Sequence, residues 1–405
     1  MPKLLIIGYV WPEPNSTAAG SRMMQLIEFF QAQQYEVTFA TTAKETENMF
    51  DLESIGVQSI QIKLNDSSFD DFVSDLSPEI VIFDRFMTEE QFGWRVDKMC
   101  PDALKILDTE DLHFLRKARE QAYKTESDLT ELVYTQDITK REIAAIYRCD
   151  ISLIISEVEM DYLKAEFNIP DSILFYLPFM YADIKPVPAF GNRNGFISIG
   201  NFLHEPNWNT ALFLKEKIWP ELRKKLPAAK MNIYGAYPSQ KVFNLHNEKQ
   251  GFLVHGRAED SKAVMEQARV CLAPIQFGAG LKGKLAEAMI CGTPSVTSTI
   301  GSEGLNGDME WNGSITNDID EFVTAAFELY TNEDLWYEKQ QMGSQIIKKR
   351  FNKDLHQERL KHKIEGIQSQ LTEHRKMNFT GSLLKHHLHK STYYMSKFIE
   401  EKNRK

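Results

Sequence analysis

At 405 residues the chain is long enough for two or three domains that each bury a core, and its 42% hydrophobic and 26% charged content is ordinary for a globular protein. The formal charge of −10 argues against a general nucleic-acid surface, and no apolar run approaches the roughly 18–20 residues that cross a bilayer. Cys100, Cys149, Cys271 and Cys291 are scattered, without CxxC spacing or a histidine at metal-ligand distance, which suits free thiols in a reducing cytosol and no bound metal.

Met1–Trp11 has one lysine and a short apolar run into Pro12, so it reads as a first strand and not as a signal peptide. Short Ile/Val/Leu-rich segments then recur at Lys3–Ile7, Glu36–Thr41, Gln58–Lys63, Glu79–Asp84, Leu104–Asp108, Ile151–Ile155 and Ile173–Leu177. Helical stretches lie between most of them, such as Ser21–Gln33, where Met23, Ile27 and Phe30 share a face. Strand and helix alternating in this way predict a parallel sheet covered on both sides. The loop VWPEPNSTAAG after the first strand is longer than a tight turn needs, and the helix behind it opens at Gly20-Ser21-Arg22, with Ser21 as the expected cap. Asp108–Arg116 gathers acids, a histidine and an arginine at a strand's carboxyl end, where Thr109 and Asp111 are good helix starters. His113, just past that cap where an imidazole has no structural reason to be, is the first candidate for a catalytic role and Asp111 the second; Arg116 suits pairing with an acid or an anionic acceptor. Glu120–Arg148 reads as a long, charge-rich helical insertion.

Around Tyr181–Asn194 the chain turns rich in Pro, Gly and Asn, which marks an interdomain linker. Alternation resumes at Phe196–Gly200, Lys230–Gly235, Phe252–Gly256, Val270–Pro274, Ser295–Thr299 and Ser314–Thr316. Two doubly wound halves would face each other across a cleft at the carboxyl ends of their strands. The stretch Phe277–Leu305 stands out. Gly278 and Gly280 let backbone approach a ligand, a helix is expected from Leu281, and Gly292 and Pro294 stop it before a strand. Free N–H groups, a helix dipole and the charges of Lys282 and Lys284 make an anion site there. Glu287, three residues after Lys284, suits a pair of sugar hydroxyls. A nucleotide-sugar is the shortest description of a ligand with both ends.

From about Asp318 the chain is nearly all helical. The segment Thr372–Lys405 holds eight Lys or Arg against three Glu, so the tail is +5 and the remainder −15 of the total −10. Written as a helix from Ser382, the tail puts Leu384, Leu388, Met395, Phe398 and Ile399 on one face, with Lys385, His386, Lys390 and Lys397 largely elsewhere. Two readings stay open: a basic amphipathic helix of 382–405 in an anionic membrane interface, or an apolar face packed on the first domain.

The Phe277–Leu305 stretch resembles the donor-binding signature of family 4 retaining glycosyltransferases, the group-1 glycosyl transferases with the GT-B fold. Gly278-Ala279-Gly280, Lys282, Lys284, Glu287-Ala288, Gly292-Thr293-Pro294 and Gly301-Ser302-Glu303-Gly304 carry the resemblance. It implies an α/β fold of two Rossmann-like domains facing across a cleft, at 1–185 on the acceptor side and 186–352 on the nucleotide-sugar side, with helices at 353–405 crossing back. It implies donor binding by Gly20, Gly278, Gly280, Leu281, Lys282, Lys284 and Glu287, and a base-reading loop, His255–Asp260, around Arg257. The wider family has a sugar-contacting glutamate at the position of Ala279, and an Arg and a Lys in the turn Gly200–Asn207; this chain has neither, and Lys282 and Lys284 would supply that charge. No cofactor is implied, the nucleotide-sugar being substrate. The acceptor would be a glycan or lipid-linked, and the location cytoplasmic, at the inner face of the membrane if the tail binds there. A non-catalytic GT-B subunit is the alternative, and a sugar-nucleotide epimerase is disfavoured because no paired acids and histidines serve a C2 proton transfer.

Overall fold

The computed structural model describes residues 1–182 and 184–403, with Leu388 and His389 described by backbone alone. Its first sheet holds β1 (Lys3–Gly8), β2 (Glu36–Thr41), β3 (Gln58–Gln61), β4 (Ile80–Asp84), β5 (Leu104–Asp108), β6 (Ile151–Ile154) and β7 (Leu174–Tyr176). The second holds β8 (Phe196–Ile199), β9 (Met231–Tyr234), β10 (Phe252–Gly256), β11 (Val270–Ala273), β12 (Ser295–Thr297) and β13 (Gly313–Ile315). Strand order is β3-β2-β1-β4-β5-β6-β7 in one sheet and β10-β9-β8-β11-β12-β13 in the other, and the paired strands run parallel.

These runs are strands because both of their faces are covered. Along β1 the residues Leu5 and Ile7 enter one hydrophobic cluster with Val81 and Phe83 of β4, while Leu4 and Ile6 enter the opposite one with Ile80 and Ile82. The period of two therefore feeds two cores, and the strand reads as uninterrupted apolar sequence. In each sheet the chain reverses its direction of winding once, between β1 and β4 and between β8 and β11, and a crevice opens at each reversal.

The chain returns to the first domain after the second is built. Tyr181 and Asn352 form a β-bridge, and the helix Lys353–Ser369 buries Leu360, Ile364 and Ile367 in the first domain's core. The expected insertion is three helices, His113–Thr125, Leu129–Thr135 and Asp137–Arg148.

The tail corrects the sequence reading. The last helix, Phe379–Asn403, packs on the first domain, but with only part of the expected apolar face. Among its described residues Gly381, Ser396 and Glu400 are buried and Leu384 and Ile399 half-buried, while Met395 and Phe398 are exposed. Arg95 is the reason. Its guanidinium is buried beside Asp70 and pairs also with Glu400 and Ser396, and a charge held out of water demands such partners more strongly than an apolar side chain demands cover. Asp183 of the linker, the Leu388 side chain and Arg404 and Lys405 lie outside the described residues.

Candidate functional site

Four loops meet where the two crevices face each other: 9–17 after β1, Arg85 after β4, 200–204 after β8 and 274–282 after β11. On the first-domain side, Arg22 clamps Asp108 at the end of β5 through Nε at 2.9 Å and Nη2 at 2.8 Å, and its Nη1 donates to the Leu177 carbonyl at 2.7 Å. The Tyr9 N–H donates to Asp84 Oδ2 at 2.9 Å, which ties the long loop to β4. Burial, then the neighbouring Asp108 and Asp84, pushes Glu110 well above the ordinary carboxylate range.

The helix expected to be capped by Thr109 or Asp111 begins at His113 and is capped by neither. Glu142, from the helix Asp137–Arg148, accepts the N–H groups of His113 at 3.1 Å and Phe114 at 2.8 Å. With its donors satisfied from a distance, this turn leaves Asp111 free to face the cleft. Asp111 Oδ2 pairs with Arg116 at 2.7 Å, and Oδ1 stands 3.4 Å from His113 Nε2. Burial opposes ionisation of Asp111, yet the Arg116 guanidinium holds it below its ordinary value. Burial moves the His113 imidazole down to about 3 in spite of Asp111, and His204, from the turn after β8, down to about 4. Two neutral imidazoles, one from each domain, thus lie near one ionised carboxylate.

The glycine loop of the second domain rests on this group. Gly280 adopts φ 64°, and a Cβ there would come within 2.8 Å of Asp111 Cβ. Its N–H donates to Glu159 Oε1 at 2.7 Å, and the same oxygen accepts the Leu112 N–H at 3.0 Å. Glu159 therefore joins the domains through two backbone groups; burial, then Asp111, raises it to about 7. Arg119 adds a second joint, donating to the Gly278 carbonyl at 2.8 Å and to both carboxylate oxygens of Glu303 at 2.7 and 2.9 Å. Ala279 packs against the first domain's hydrophobic cluster.

The helix expected from Leu281 starts two residues later, at Gly283. Lys282 is its cap residue, with extended ψ of 90°, and Leu281 is buried in the second domain's core. Lys282 Nζ donates to the Gly280 carbonyl at 2.8 Å and Lys284 Nζ to Asn207 Oδ1 at 2.6 Å. Among the described residues neither ammonium forms an ion pair, and burial brings both down to about 8. Lys284 keeps part of its surface open to the crevice, beside Gly200, Asn207 and Tyr234.

Gly283 faces Ala18, the first residue of the helix Ala18–Ala32, so closely that a Cβ on Gly283 would come within 2.5 Å of the Ala18 Cβ. Two helix N-termini, one from each domain, therefore converge beside the lysines, and their first N–H groups have no intrahelical acceptors. One turn on, Glu287 accepts a hydrogen bond from Ser261 Oγ and is raised by burial.

Gly20 and Arg257 are placed differently. The helix near Gly20 begins at Ala18 and is capped by Thr17, not Ser21, and the Gly20 N–H donates to Thr17 Oγ1 at 2.9 Å. A Cβ on Gly20 would lie 2.5 Å from the Glu13 backbone, so this glycine closes the loop on its own helix. Arg257 is exposed at the rim, its Nε 3.3 Å from Ser16 Oγ, while Tyr237 reaches Glu13 Oε1 at 2.7 Å. His113, Asp111, Gly280 and Lys282 thus form one cluster, Lys284 and Glu287 continue it, and Gly20 and Arg257 border it. Glu142, Glu159, Arg119 and Ser261 were not singled out from sequence. A first-turn acid on a helix leaving a strand, as Glu159 is, was the only local signal among them.

Residues 193–332 match the family model of glycosyl transferases group 1. No curated protein matches the chain. Among solved structures, sucrose-phosphate synthase from Thermosynechococcus elongatus is similar with a TM-score of 0.71 and 14% identity, over 91% of this chain and 99% of that one. TarM of S. aureus is similar with a TM-score of 0.69 and 12% identity, over 90% and 98%. HepE of Anabaena, solved in complex with UDP and glucose, gives 0.66 and 12% over 90% and 100%. The fold is GT-B, two Rossmann-like domains with a helical C-terminal segment.

Proposed function

We propose that this protein is a glycosyltransferase that moves a sugar from a nucleotide-sugar donor to a glycan or lipid-linked acceptor in the cytoplasm, with retention of configuration and without a metal ion. The observation that carries the proposal is the pair Lys282 and Lys284, two ammonium groups without ion-pair partners among the described residues, set beside two converging helix N-termini. The match of 193–332 to the group-1 family and the GT-B fold support it; fold alone does not determine reaction.

In this reading the diphosphate lies over Gly278–Lys284, and Glu287 accepts hydrogen bonds from the ribose hydroxyls. The bond from the anomeric carbon to the diphosphate breaks, and its electron pair leaves on the diphosphate oxygen, where the lysines and helix N-termini stabilise the charge. The acceptor oxygen bonds to the anomeric carbon on the same face, and its proton passes to the departing diphosphate. Asp111 and neutral His113 orient the sugar from the first-domain side. A non-catalytic GT-B subunit is the second reading, favoured by Ala279, which packs apolar surface where the wider family has a glutamate.

A panel of UDP-, GDP- and dTDP-sugars tests this by thermal shift and by donor hydrolysis without acceptor. A donor at 100 times its Kd stabilises the fold by about 2.7 kcal/mol. Binding with hydrolysis supports the transferase, and binding without turnover under any acceptor supports the subunit. A chain that no donor stabilises overturns the nucleotide-sugar reading itself.

A further inference from the structure

The turn that leaves β4 for the cleft holds a strained arginine. Arg85 has φ 69° and ψ 158°. Ser77, Glu126 and Asn168 also have positive φ, but their ψ values of 60°, 25° and 37° lie in the left-handed helical region that other side chains visit. The Arg85 combination is essentially a glycine conformation, and such outliers gather at ligand sites. The fold makes little use of the side chain held there. Arg22 and Arg148 are hydrogen-bonded to Asp108 and Glu89, whereas the Arg85 guanidinium forms no hydrogen bond among the described residues. It meets Asp84 only at 3.8 Å, from Nε to Oδ1, and lies 5.1 Å from the centre of the Tyr9 ring. Asp111 is bonded to Arg116 instead, and burial favours the neutral form of Glu110.

The groups beside that guanidinium have the chemistry of a sugar site. Asp84 is buried, its Oδ2 accepts the Tyr9 N–H, and its Oδ1 has no hydrogen-bond partner among the described residues. A donor and an acceptor thus face each other beyond hydrogen-bond range. A hydroxyl, which both donates and accepts, satisfies the two at once. Tyr9, with Arg85 against its ring, is still 43% exposed, and Val10 beside it is 45% exposed. A lipid chain would leave the guanidinium and Asp84 unpaired, and a phosphate group would be set against the carboxylates of Asp84 and Asp111. After burial, Asp111 and Arg116, the Arg85 charge also acts on both His113 and His204, so this guanidinium belongs to the cleft and not to the outer surface. We propose that Arg85, with Asp84 and Tyr9, determines the acceptor by binding it as a saccharide ring. An Arg85 N–H donates to a ring hydroxyl that donates in turn to Asp84 Oδ1, and the C–H face of the ring lies on Tyr9. The inference rests on the transferase reading for the role of acceptor, and it assigns recognition to the acceptor's sugar, not to a lipid attached to it.

Arg85→Gly separates a ligand-binding role from a folding role. It removes the backbone strain, so the full chain should melt at or above the wild-type temperature. Saturation-transfer NMR with the methyl glycosides of glucose, galactose, mannose and N-acetylglucosamine, with and without UDP, reads the subsite. The expected result is transfer to the ring protons of at least one glycoside in the wild type, and binding weaker by about tenfold or more in Arg85→Gly. Tyr9→Ala should weaken it as well, and Arg85→Lys, which keeps the charge without the planar fork, should not restore it. A lower melting temperature in Arg85→Gly overturns the inference, because the guanidinium then serves the fold by balancing Asp84 and Asp111. A glycoside bound equally well by Arg85→Gly also overturns it. Transfer that depends on Arg85 in a chain that ignores UDP would keep the sugar subsite and remove the transferase reading. UDP binding without transfer to any glycoside would keep that reading and overturn the subsite.

Discussion

Nucleoside diphosphate binding should take up protons, because Lys282 and Lys284 titrate near 8 in the free protein and would be recharged by the ligand. Their lowered values follow from burial without a direct anionic partner: nearby Glu303 only partly offsets burial for Lys282, and Lys282 lowers Lys284 further. A diphosphate over Gly278–Lys284 would provide that partner and move both groups back toward the ordinary lysine value of 10.5. With both groups titrating near 8 and Lys282 lowering Lys284, the pair is mostly charged near pH 7 and mostly neutral near pH 9. Uptake should therefore be small near pH 7 and rise toward about two protons per site near pH 9. Affinity should fall roughly tenfold per lysine, so ~100-fold in all, between those extremes. Calorimetry with UDP or GDP in buffers of different ionisation enthalpy reads the uptake directly. The sign also appears in stability. An unfolded chain holds more lysine protons than the folded one between about pH 8 and 10.5, so these two groups should make the free protein more stable as pH rises through that window. Replacing both lysines with alanine should abolish the uptake and weaken diphosphate binding far more than nucleoside binding. Proton release, or an affinity constant across this pH range, would refute the placement of the diphosphate; equal losses for nucleoside and diphosphate would indicate a damaged fold.

Glu287→Ala should remove hydrogen bonds worth roughly 1.5–3 kcal/mol to the ribose, lowering donor affinity about ten- to hundredfold by calorimetry; unchanged affinity in a folded variant would end that assignment. His113→Ala should lower kcat by about 10²–10⁴-fold with nucleotide affinity nearly intact, and a variant turning over at the wild-type rate would move the role to Asp111. Because His113 is neutral down to about 3, its ring carbon NMR shifts should stay constant between about pH 5 and 8. Gly280→Ala should cost binding and stability together, since φ 64° is strained for alanine and the new methyl meets Asp111; a variant that melts and binds as wild type would show that the domains do not need this contact.

What sequence reasoning could and could not reach follows from the range of each interaction. The strands and their doubly wound order were accessible because a covered parallel strand announces itself in five or six adjacent residues, as Leu4–Ile7 do. The glycine loop, Lys282, Lys284 and Glu287 lie within ten residues of one another, so their chemistry was local too. Helix starts failed where the cap came from elsewhere. Glu142 serves His113 from 29 residues away, and nothing near Asp108–Arg116 signals it. Glu159 meets Gly280 across 121 residues and two domains. The tail is the clearest case. Its apolar positions were read correctly, but which side faces the protein is decided by Arg95, 305 residues before Glu400. Hydrophobic periodicity identifies a face that is able to be buried; it does not identify what competes for the contact. Here a buried guanidinium shared by Asp70, Ser396 and Glu400 wins that competition, because withdrawing a charge from water without partners costs more than leaving Phe398 and Tyr394 exposed. It follows that Arg95→Met should release the helix from its present register, and hydrogen exchange over 379–403 should accelerate. If protection there is unchanged, apolar contacts such as Tyr393 on Trp94 hold the helix and the ionic account of its orientation is wrong.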